Sequence, residues 1–441
     1  MMTQAQLDTI FALSSGSGRA GIAVVRISGP MALTALNALA GAAPSPRMVA
    51  VRKLRARDGQ IIDEAVVLWF QGPHTATGED VVELHVHGAP AVIALLLKEL
   101  SEREGLRLAE PGEFSKRAFA NGKLDLVEVE GLSDLLAARG EAQRRLAMRQ
   151  FLGEASAVYE SWRNSVLTAL ALHEAAIDFS DEDDVAGKAR TSAAPIISDL
   201  VAQLVEALKR SEKYAAVRSG LRLVIAGAPN VGKSSLLNVL VGREAAIVSP
   251  QAGTTRDVVE AELMFEGLPL TVSDTAGLRL NAHDEIEVLG MARAQAAVRD
   301  ADILVWVQSP DVTQTVGPQR NPDAIVWNKS DLDLIRKQND SDLVISTQTG
   351  AGLVELQDWL RVMINERMAG IENAVVVRQR HVTAIRNSIR LLNECLLWPD
   401  RESELVCEDL RRAARYLGEV TGHVEVEELL GKIFSEFCIG K

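Results

Sequence analysis

The sequence predicts a multidomain protein of the α/β class, and three observations support this. Its 441 residues exceed the usual size of a domain with a single hydrophobic core, so two or three domains are expected. Short apolar strands alternate with helical patterns in residues 1–121 and again in 218–368. Helical periodicity alone fills 122–217 and 369–441. We therefore predict an α+β amino-terminal domain and a discontinuous helical domain whose two parts flank an inserted, doubly wound α/β domain.

The amino-terminal domain is predicted from apolar runs at residues 21–27, 64–70 and 81–87, which read as strands. The last run places His85 and His87 on one strand face. No acidic or cysteine partner lies at ligand spacing, so the sequence does not favour a metal site there.

The helical domain is predicted from apolar residues that recur every three or four positions. Its first part contains stretches at 124–136 and 196–208, separated by the acidic run 178–184, which we interpret as a solvated loop. Its second part ends in an amphipathic helix over 426–437. We expect 124–215 and 375–437 to share a core. The last four residues would by composition alone be a fraying terminus.

Composition and charge restrict the functional classes. With 47% hydrophobic residues, no bilayer-length apolar run and no signal-like start, the chain is expected to be cytoplasmic and not attached to a membrane. The net charge of −13 argues against a protein that coats nucleic acid. Arginines cluster at 139–149 and 411–415, where solvated helix faces are the simpler interpretation. The three cysteines are too scattered for a disulfide framework or a zinc site.

The inserted domain begins with the most informative stretch in the chain. Residues 227–234 have the form G-x-x-x-x-G-K-[ST] between an apolar strand and a helix, which predicts a phosphate-binding P-loop. Its backbone N–H groups and the helix N-terminus would hold the diphosphate. Lys233 would reach the terminal phosphates, and the Ser234 hydroxyl would bind Mg²⁺.

Later strands of this domain, at 270–274, 301–308, 324–328 and 343–346, carry further nucleotide motifs. A D-x-x-G form occupies 274–277, with its Asp toward the magnesium shell and its Gly amide near the γ-phosphate. An N-K-x-D form at 328–331 predicts guanine recognition, because a carboxylate accepts two hydrogen bonds from guanine that adenine cannot donate. Thr255 is the expected switch ligand of Mg²⁺. The predicted GTP contacts are Asn230, Val231, Gly232, Lys233, Ser234, Ser235, Ser249, Pro250, Gln251, Ala252, Gly253, Thr254, Thr255, Asp274, Thr275, Ala276, Gly277, Asn328, Lys329, Ser330, Asp331, Ser346, Thr347 and Gln348.

One position departs from Ras-like GTPases, which have a Gln after the D-x-x-G motif to orient the attacking water. Here that position is Leu278, which cannot orient water, so we expect the task to fall to Asp284, Glu285 or Glu287. Oxygens of Asn230 and of residues 249–254 would suit a monovalent cation that neutralises phosphate charge.

These residues, with others along the whole chain, resemble the MnmE (TrmE) family of tRNA modification GTPases. The family's motifs are matched at 8–10, 21–29, 77–80, 111–119, 123–126 and 177–179, at the GTPase elements, and at the terminal Cys438-Ile439-Gly440-Lys441. The resemblance implies a folate-binding and dimerising amino-terminal domain (1–121), a helical domain in two parts (122–217 and 369–441), and an inserted Ras-like G domain (218–368).

The resemblance also implies a reaction and its participants. Family members form homodimers and work with the FAD-dependent protein MnmG, in a heterotetramer, to install an aminomethyl-type group, as in carboxymethylaminomethyl, on C5 of the wobble uridine of certain tRNAs. The one-carbon unit comes from 5-formyl- or 5,10-methylene-tetrahydrofolate. Arg26, Glu83, Lys123 and Lys441 match the folate-contacting positions.

Further positions match the family's ion and catalytic residues. Asn230, Ser249, Gln251 and Thr254 match the K⁺ contacts. Glu287 matches the water-orienting glutamate, although the linker after Asp274 is one residue longer, which makes Glu285 the alternative. Cys438 matches a cysteine proposed to act in the modification, and the nearby Lys441 would lower its thiol pKa.

A second interpretation is a regulatory or ribosome-assembly GTPase without one-carbon chemistry, whose amino-terminal domain only dimerises. The GTPase motifs do not separate the two interpretations, whereas folate binding does.

Overall fold

The computed structural model describes residues 8–16, 18–178, 183–243, 258–265, 267–275, 295–312, 317–318, 320–332, 342–368, 375–397, 403–423, 430–431, 433–434, 437 and 439–440. The chain divides into two compact units. The first contains Met1–Ser133, Gln150–Glu174 and Glu404–Lys441, and the second contains Asp134–Arg149 and Ala175–Ser403. The three predicted boundaries between the four segments stay predictions.

The first unit contains the elements β1 (Thr9–Leu13), β2 (Ala20–Ser28), α1 (Ala32–Ala40), β3 (Ala50–Arg55), β4 (Ile61–Phe70), β5 (Val81–Gly88), α2 (Pro90–Ser101), β6 (Leu106–Leu108) and α3 (Glu113–Ala120). Its strands form a six-stranded sheet in the order β3-β4-β5-β2-β1-β6, antiparallel except for the parallel pair β1 and β6. The predicted strands at 21–27, 64–70 and 81–87 are confirmed as β2, β4 and β5, each slightly longer than predicted.

The two faces of this sheet differ in character. One face packs on α1 and α2 through a core that includes Val25, Leu36, Leu84 and Leu96. Because side chains alternate along a strand, the residues between these core positions point to the opposite face. There a smaller cluster of Ile10, Ala12, Ala109 and Phe114 places α3 against β1.

A buried ionic network also attaches α3 to the sheet. Arg117 lies 3.1 Å from Glu79 and 3.1 Å from Glu113, and Arg107 lies 2.6 Å from Glu113. The Ser28 hydroxyl donates to Glu79 at 2.7 Å. Buried charges are tolerated when they are paired and hydrogen-bonded in this way. The motifs at 77–80 and 111–119 therefore meet each other in the fold.

The helical segments include α4 (Leu126–Ala137), α5 (Glu141–Phe151), α6 (Glu154–Asp178) and α11 (Ser403–Thr421). In the first unit, Leu126 and Val129 of α4 share a core with Ile433, Phe434 and Phe437 near the end of the chain. Residues far apart in sequence thus bury a common apolar surface, as the amphipathic pattern of the last segment predicts.

In the second unit, α7 (Asp183–Ser219) packs against α10 (Gln379–Leu397). The helix α7 is much longer than the predicted stretch 196–208. The acidic run 178–184 was predicted as a loop. That prediction is wrong for Asp178, which ends α6, and for Asp183 and Asp184, which begin α7, where the helix macrodipole favours acidic residues. Residues 179–182 of the run lie outside the described residues. By length and hydropathy the stretch Thr191–Ser211 of α7 would suffice to cross a membrane, which on its own is weak evidence for a span.

The second unit also contains the elements β7 (Leu221–Gly227), α8 (Lys233–Arg243), β8 (Val258–Phe265), β9 (Leu268–Thr275), β10 (Ile303–Gln308), β11 (Ala324–Trp327), β12 (Leu343–Val344) and α9 (Leu353–Met368). Its strands form a sheet in the order β12-β11-β10-β7-β9-β8, parallel except for β8. Apolar clusters around Ile225 and Val305 on one face, and around Trp306 on the other, cover both faces, as expected for a doubly wound sheet. The predicted strands are present within a few residues of their predicted bounds.

Candidate functional site

The loop between β7 and α8 has the backbone of a phosphate-binding loop. Gly227, Asn230 and Gly232 have φ values of 152°, 67° and 96°, which turn the chain tightly before α8 begins at Lys233. The buried Lys233 ammonium group donates to the carbonyl oxygen of Ala228 at 2.9 Å, so its positive charge lies across the loop. A positive loop at a helix N-terminus favours an anion.

The buried Asn328, which follows β11, connects this loop to two others. Its Nδ2 donates to the carbonyl oxygen of Val231 at 3.0 Å, and its Oδ1 accepts from the Thr347 amide at 3.1 Å. A Cβ atom on Gly232 would lie 2.2 Å from Asn328 Nδ2, so only glycine allows this approach. One side chain therefore joins three of the loops that the sequence assigns to nucleotide binding.

Asp331 is exposed, but its carboxylate accepts a hydrogen bond from a buried side chain. The buried Ser346 hydroxyl donates to Asp331 Oδ1 at 2.5 Å and accepts from the amide of Thr349 at 3.1 Å. Asp331 lies in a short 3₁₀ turn, Ser330–Leu332, whose first amide donates to Ile345 O at 3.0 Å. The arrangement suits a carboxylate that must face a planar pair of donors.

Lys329 has a partner that the sequence analysis missed. Its ammonium lies 2.7 Å from Asp311 Oδ2 in the segment after β10, and Asp311 also accepts from Ser309. Hydrogen bonds from Lys329 and Ser309 lower the pKa of Asp311. No spacing rule connects two residues that lie 18 positions apart and follow different strands. Only the parallel pairing of β10 with β11 brings them together.

The expected Mg²⁺ and K⁺ ligands are described only in part. Ser234 is exposed in the first turn of α8, and Asp274 near the end of β9 pairs in register with Ile225 of β7. Hydroxyl and carboxylate oxygens of this kind are the donors that Mg²⁺ prefers, so the set fits. Asn230 is exposed within the loop. Among the described residues, no group of three His, Cys, Asp or Glu side chains is arranged to hold a metal.

Several predicted site residues lie outside the described residues, and their assignments stay predictions. They are Ser249, Pro250, Gln251, Ala252, Gly253, Thr254, Thr255, Ala276, Gly277, Asp284, Glu285, Glu287, Cys438 and Lys441.

In the first unit, the structure brings together two of the residues predicted to contact folate. Arg26 on β2 and Glu83 on β5 are cross-strand partners with a 2.9 Å ion pair. The Arg26 guanidinium also lies 5.8 Å from the centre of the Phe114 ring. Burial raises the pKa of Glu83, but the hydrogen bond and charge of Arg26, with a smaller effect of His85, outweigh it and the pKa is lowered. Lys123 is exposed in the turn after α3.

The two histidines of β5 have acidic partners, contrary to the sequence prediction. His85 Nε2 lies 3.3 Å from Glu83, and His87 Nδ1 lies 2.8 Å from Asp63 on β4. Each histidine meets a different carboxylate. The arginines of α5 are likewise paired, as Arg144 and Arg145 both contact Glu141.

The carboxy-terminal tail contacts the amino-terminal sheet. Ile439 forms an antiparallel bridge with Pro111, and the Ser14 hydroxyl donates to the Gly440 carbonyl at 2.9 Å. The interpretation of the last four residues as a fraying terminus is therefore wrong for Ile439 and Gly440. Gly440 lies beside the end of β1, and β1 is also paired with the strand that carries Arg26.

Two protein-family models match the chain, one over its amino-terminal part and one over the remainder. The family described as "GTP-binding protein TrmE N-terminus" matches residues 9–123, and "MnmE helical domain" matches 126–438. The tRNA modification GTPase MnmE of Rhizobium johnstonii is 46% identical over 98% of this chain and 99% of the relative. That of Bradyrhizobium sp. is 46% identical over 98% and 99%, and that of Brucella anthropi is 43% identical over 98% of both.

Proposed function

The chain belongs to the MnmE family of tRNA modification GTPases, and from this premise we propose the full reaction that it serves. It is a K⁺-activated GTPase that works with the FAD-dependent protein MnmG. Together they add an aminomethyl-type group, as in carboxymethylaminomethyl, to C5 of the wobble uridine of certain tRNAs, with a one-carbon unit from a tetrahydrofolate derivative. We place the protein in the cytoplasm as a homodimer that joins MnmG in a heterotetramer.

The contact of Asn328 with both the P-loop and the Thr347 loop is the observation that best supports the nucleotide assignment. It fixes the distance between the group that reads the base and the loop that holds the phosphates. Asp331 would accept the two guanine donors, and Lys233 would balance the charge of the terminal phosphates. Binding energy from the base is thereby used to position the γ-phosphate for attack.

Two cations complete the proposed GTPase site. Ser234 and Thr255 would hold Mg²⁺, which would supply charge neutralisation to the phosphates when bound. Asn230, with Ser249, Gln251 and Thr254, would hold K⁺ beside the phosphates, where an arginine acts in other GTPases. Glu287, or Glu285 if the longer linker shifts the register, would orient the attacking water.

The charged pair on the amino-terminal sheet supports folate as the second ligand. Arg26 lowers the pKa of Glu83 and thereby favours its charged form, and a carboxylate suits the N–H donors of a pterin ring. Arg26 carries donors beyond those used by Glu83, and Lys123 and Lys441 would pair with the glutamate carboxylates of the folate. Cys438 would act in the modification itself.

Calorimetry with 5-formyl-tetrahydrofolate tests this second site. Glu83→Gln removes the carboxylate and should weaken binding at least tenfold, since a hydrogen bond to a charged group contributes about 1.5–3 kcal/mol. Asp63→Asn is a matched control, because it removes the acid of another acid–base pair on the same sheet. Equal affinity of the natural protein and both variants would remove Glu83 from the site.

The reaction as a whole is tested in cells. A strain that lacks the protein should contain tRNAs whose wobble uridines lack the C5 group, measured by nucleoside mass spectrometry. Unchanged wobble nucleosides, with a purified protein that hydrolyses GTP but binds no folate, would favour the regulatory GTPase instead.

A further inference from the structure

The strand β3 carries concentrated positive charge in a chain that is acidic as a whole. The net charge of the chain is −13, whereas the segment 47–57 contains arginine and lysine side chains and no acidic one. β3 forms one edge of the amino-terminal sheet, beside β4. The four cationic residues on β3 and directly after it are here named the basic edge: Arg52, Lys53, Arg55 and Arg57.

The guanidinium groups on the strand donate to backbone oxygens and not to acids. Arg52 donates to the carbonyl oxygen of Ala42 at 3.2 Å, and Arg55 donates to that of Gly59 at 3.1 Å. Within the part of the chain that the structure describes, Arg52, Lys53 and Arg55 form no ion pair with a carboxylate. Because a guanidinium carries five N–H donors, most of these donors stay available to a ligand.

The acidic groups near the basic edge leave most of its charge in place. Arg57 lies 3.7 Å from Glu102, but both side chains are almost half exposed, so water weakens the pair. The carboxylate of Asp58 accepts a 2.9 Å hydrogen bond within the turn that follows. Glu64 is opposite Lys53 in the β3–β4 register, where two exposed charges attract each other only weakly.

So many like charges exceed what a sheet edge requires. A single charged side chain can protect an edge strand from pairing with another chain, whereas neighbouring like charges repel each other. The repulsion extends to the next element, because burial and the charge of Arg57 lower the pKa of Arg103 just after α2, against a smaller effect of Glu99. A ligand with several negative charges would relieve this repulsion.

The other basic clusters of the sequence differ from the basic edge because their arginines are paired. On α5, Arg144 and Arg145 contact Glu141 at 2.7 and 2.8 Å. On α11, Arg411 lies 2.7 Å from Glu174. Carboxylates therefore neutralise much of the charge on these helix faces, and the basic edge attracts an anion more strongly than they do.

We propose that the basic edge binds the phosphate backbone of tRNA and so allows an acidic chain to hold an acidic substrate. This inference rests on tRNA as the substrate in the proposed function. Guanidinium groups bind phosphates through two parallel hydrogen bonds, which suits Arg52 and Arg55. Phosphate contacts position an RNA without reading its sequence. The basic edge would thus bind substrate tRNAs and other tRNAs alike.

The test compares two triple variants of the full-length protein that change the net charge equally. The first removes the charges without acidic partners from the basic edge: Arg52→Gln, Lys53→Gln and Arg55→Gln. The matched control removes three exposed arginines of α11 that have acidic partners: Arg411→Gln, Arg412→Gln and Arg415→Gln. Thermal unfolding and GTP hydrolysis confirm that each variant folds.

Binding is measured by the fluorescence anisotropy of a labelled tRNA transcript between about 50 and 200 mM KCl. The Kd of the edge variant should rise at least tenfold. Its slope of log Kd against log[KCl] should fall by about two, since each lost phosphate contact removes about 0.7–0.9 from the slope. The control variant should bind tRNA within twofold of the natural protein. Added tRNA should also slow hydrogen–deuterium exchange at 47–57 in the natural protein.

The outcomes separate the basic edge from its premise. If the natural protein binds no tRNA, the proposed function fails and the inference fails with it. If it binds tRNA, equal affinity and salt slope in the edge variant would overturn the inference alone, as would equal losses in both triple variants, which would indicate net charge. An edge variant that aggregates but keeps its tRNA affinity would assign these residues to edge protection. Slower exchange at 47–57 with an acidic protein but not with tRNA would assign them to that protein, and both results would overturn the proposal.

Discussion

Substitution of Asn328 by alanine tests the central feature of the nucleotide site. The side chain is 1% exposed and makes two hydrogen bonds, one to Val231 O at 3.0 Å and one from the Thr347 amide at 3.1 Å. Alanine removes both and leaves a carbonyl and an amide without these partners. At about 1–1.5 kcal/mol for each hydrogen bond, the loss is roughly 2–3 kcal/mol.

This free energy is lost where GTP binds, because the two bonds hold the P-loop and the base-reading loop in one arrangement. GTP would have to restore that arrangement on binding, so we expect its affinity to fall roughly 30- to 150-fold, at 1.4 kcal/mol for each factor of ten. The assay is titration of a fluorescent GTP analogue under Mg²⁺ and K⁺, with thermal unfolding of the nucleotide-free protein measured in parallel.

Asn37→Ala provides the matched control for this substitution. Asn37 accepts one exposed hydrogen bond from the Ala43 amide at 2.9 Å in the first unit, so its loss should leave GTP affinity unchanged. If Asn328→Ala binds GTP within threefold of the natural protein, the two bonds do not organise the site. If it only unfolds at lower temperature, Asn328 supports the fold and not the nucleotide.

Four further predictions concern the proposed nucleotide site and the charged groups of the amino-terminal sheet. Asp331→Asn should shift preference from GTP to xanthosine triphosphate, whose carbonyl accepts from the amide; unchanged GTP preference in competition binding would contradict the base assignment. Replacement of K⁺ by Na⁺ should slow GTP hydrolysis at least tenfold, and equal rates of phosphate release would remove the cation site. Glu287→Ala should lower kcat for hydrolysis with little change in GTP affinity; if Glu285→Ala does so instead, the longer linker has shifted the register. Burial raises the pKa values of Glu83 and Glu113, but their arginine partners outweigh this effect and the pKa values are lowered. The stability that these two groups provide should therefore be complete above the ordinary carboxyl pKa of about 4.3 and be lost as pH falls through the lowered pKa values. Urea unfolding midpoints that stay constant below pH 4 would contradict this.

The parts of the fold that sequence predicts best are those with strong periodicity. The parallel strands of the second unit are continuous apolar runs in the sequence. Because each nucleotide motif follows one of these runs, the sequence predicts which loops meet at the edge of the sheet. The helix α7 is longer than predicted because its amino-terminal part, from Asp183 to Pro195, contains too few large apolar residues to show an apolar stripe. The helix macrodipole favours acidic residues at a helix N-terminus. Charge patterning alone instead interprets such an acidic run as a loop.

The contacts that sequence could not predict are those between residues whose neighbours in space are set by topology. Asp311 and Lys329 meet because β10 and β11 pair in parallel, and nothing in either segment marks the other as its partner. The contact between Ser14 and Gly440 is of the same kind. The motif Cys438-Ile439-Gly440-Lys441 can be recognised in the sequence. The need for its glycine is seen only in the structure, where a Cβ atom on Gly440 would lie 2.2 Å from the carbonyl oxygen of Leu13.

The nucleotide site divides into a buried support and an exposed reader, and this division says where specificity comes from. Asn328 and Ser346 are almost fully buried, so their hydrogen bonds are costly to break and hold the loops in place before any ligand binds. Asp331 is exposed, and the Lys329–Asp311 pair is exposed enough that water screens it and it contributes little to stability. In the proposed site the pair would therefore open at small cost when a base approaches. Guanine would then be selected by the Asp331 carboxylate, which accepts a 2.5 Å hydrogen bond from the buried Ser346 hydroxyl.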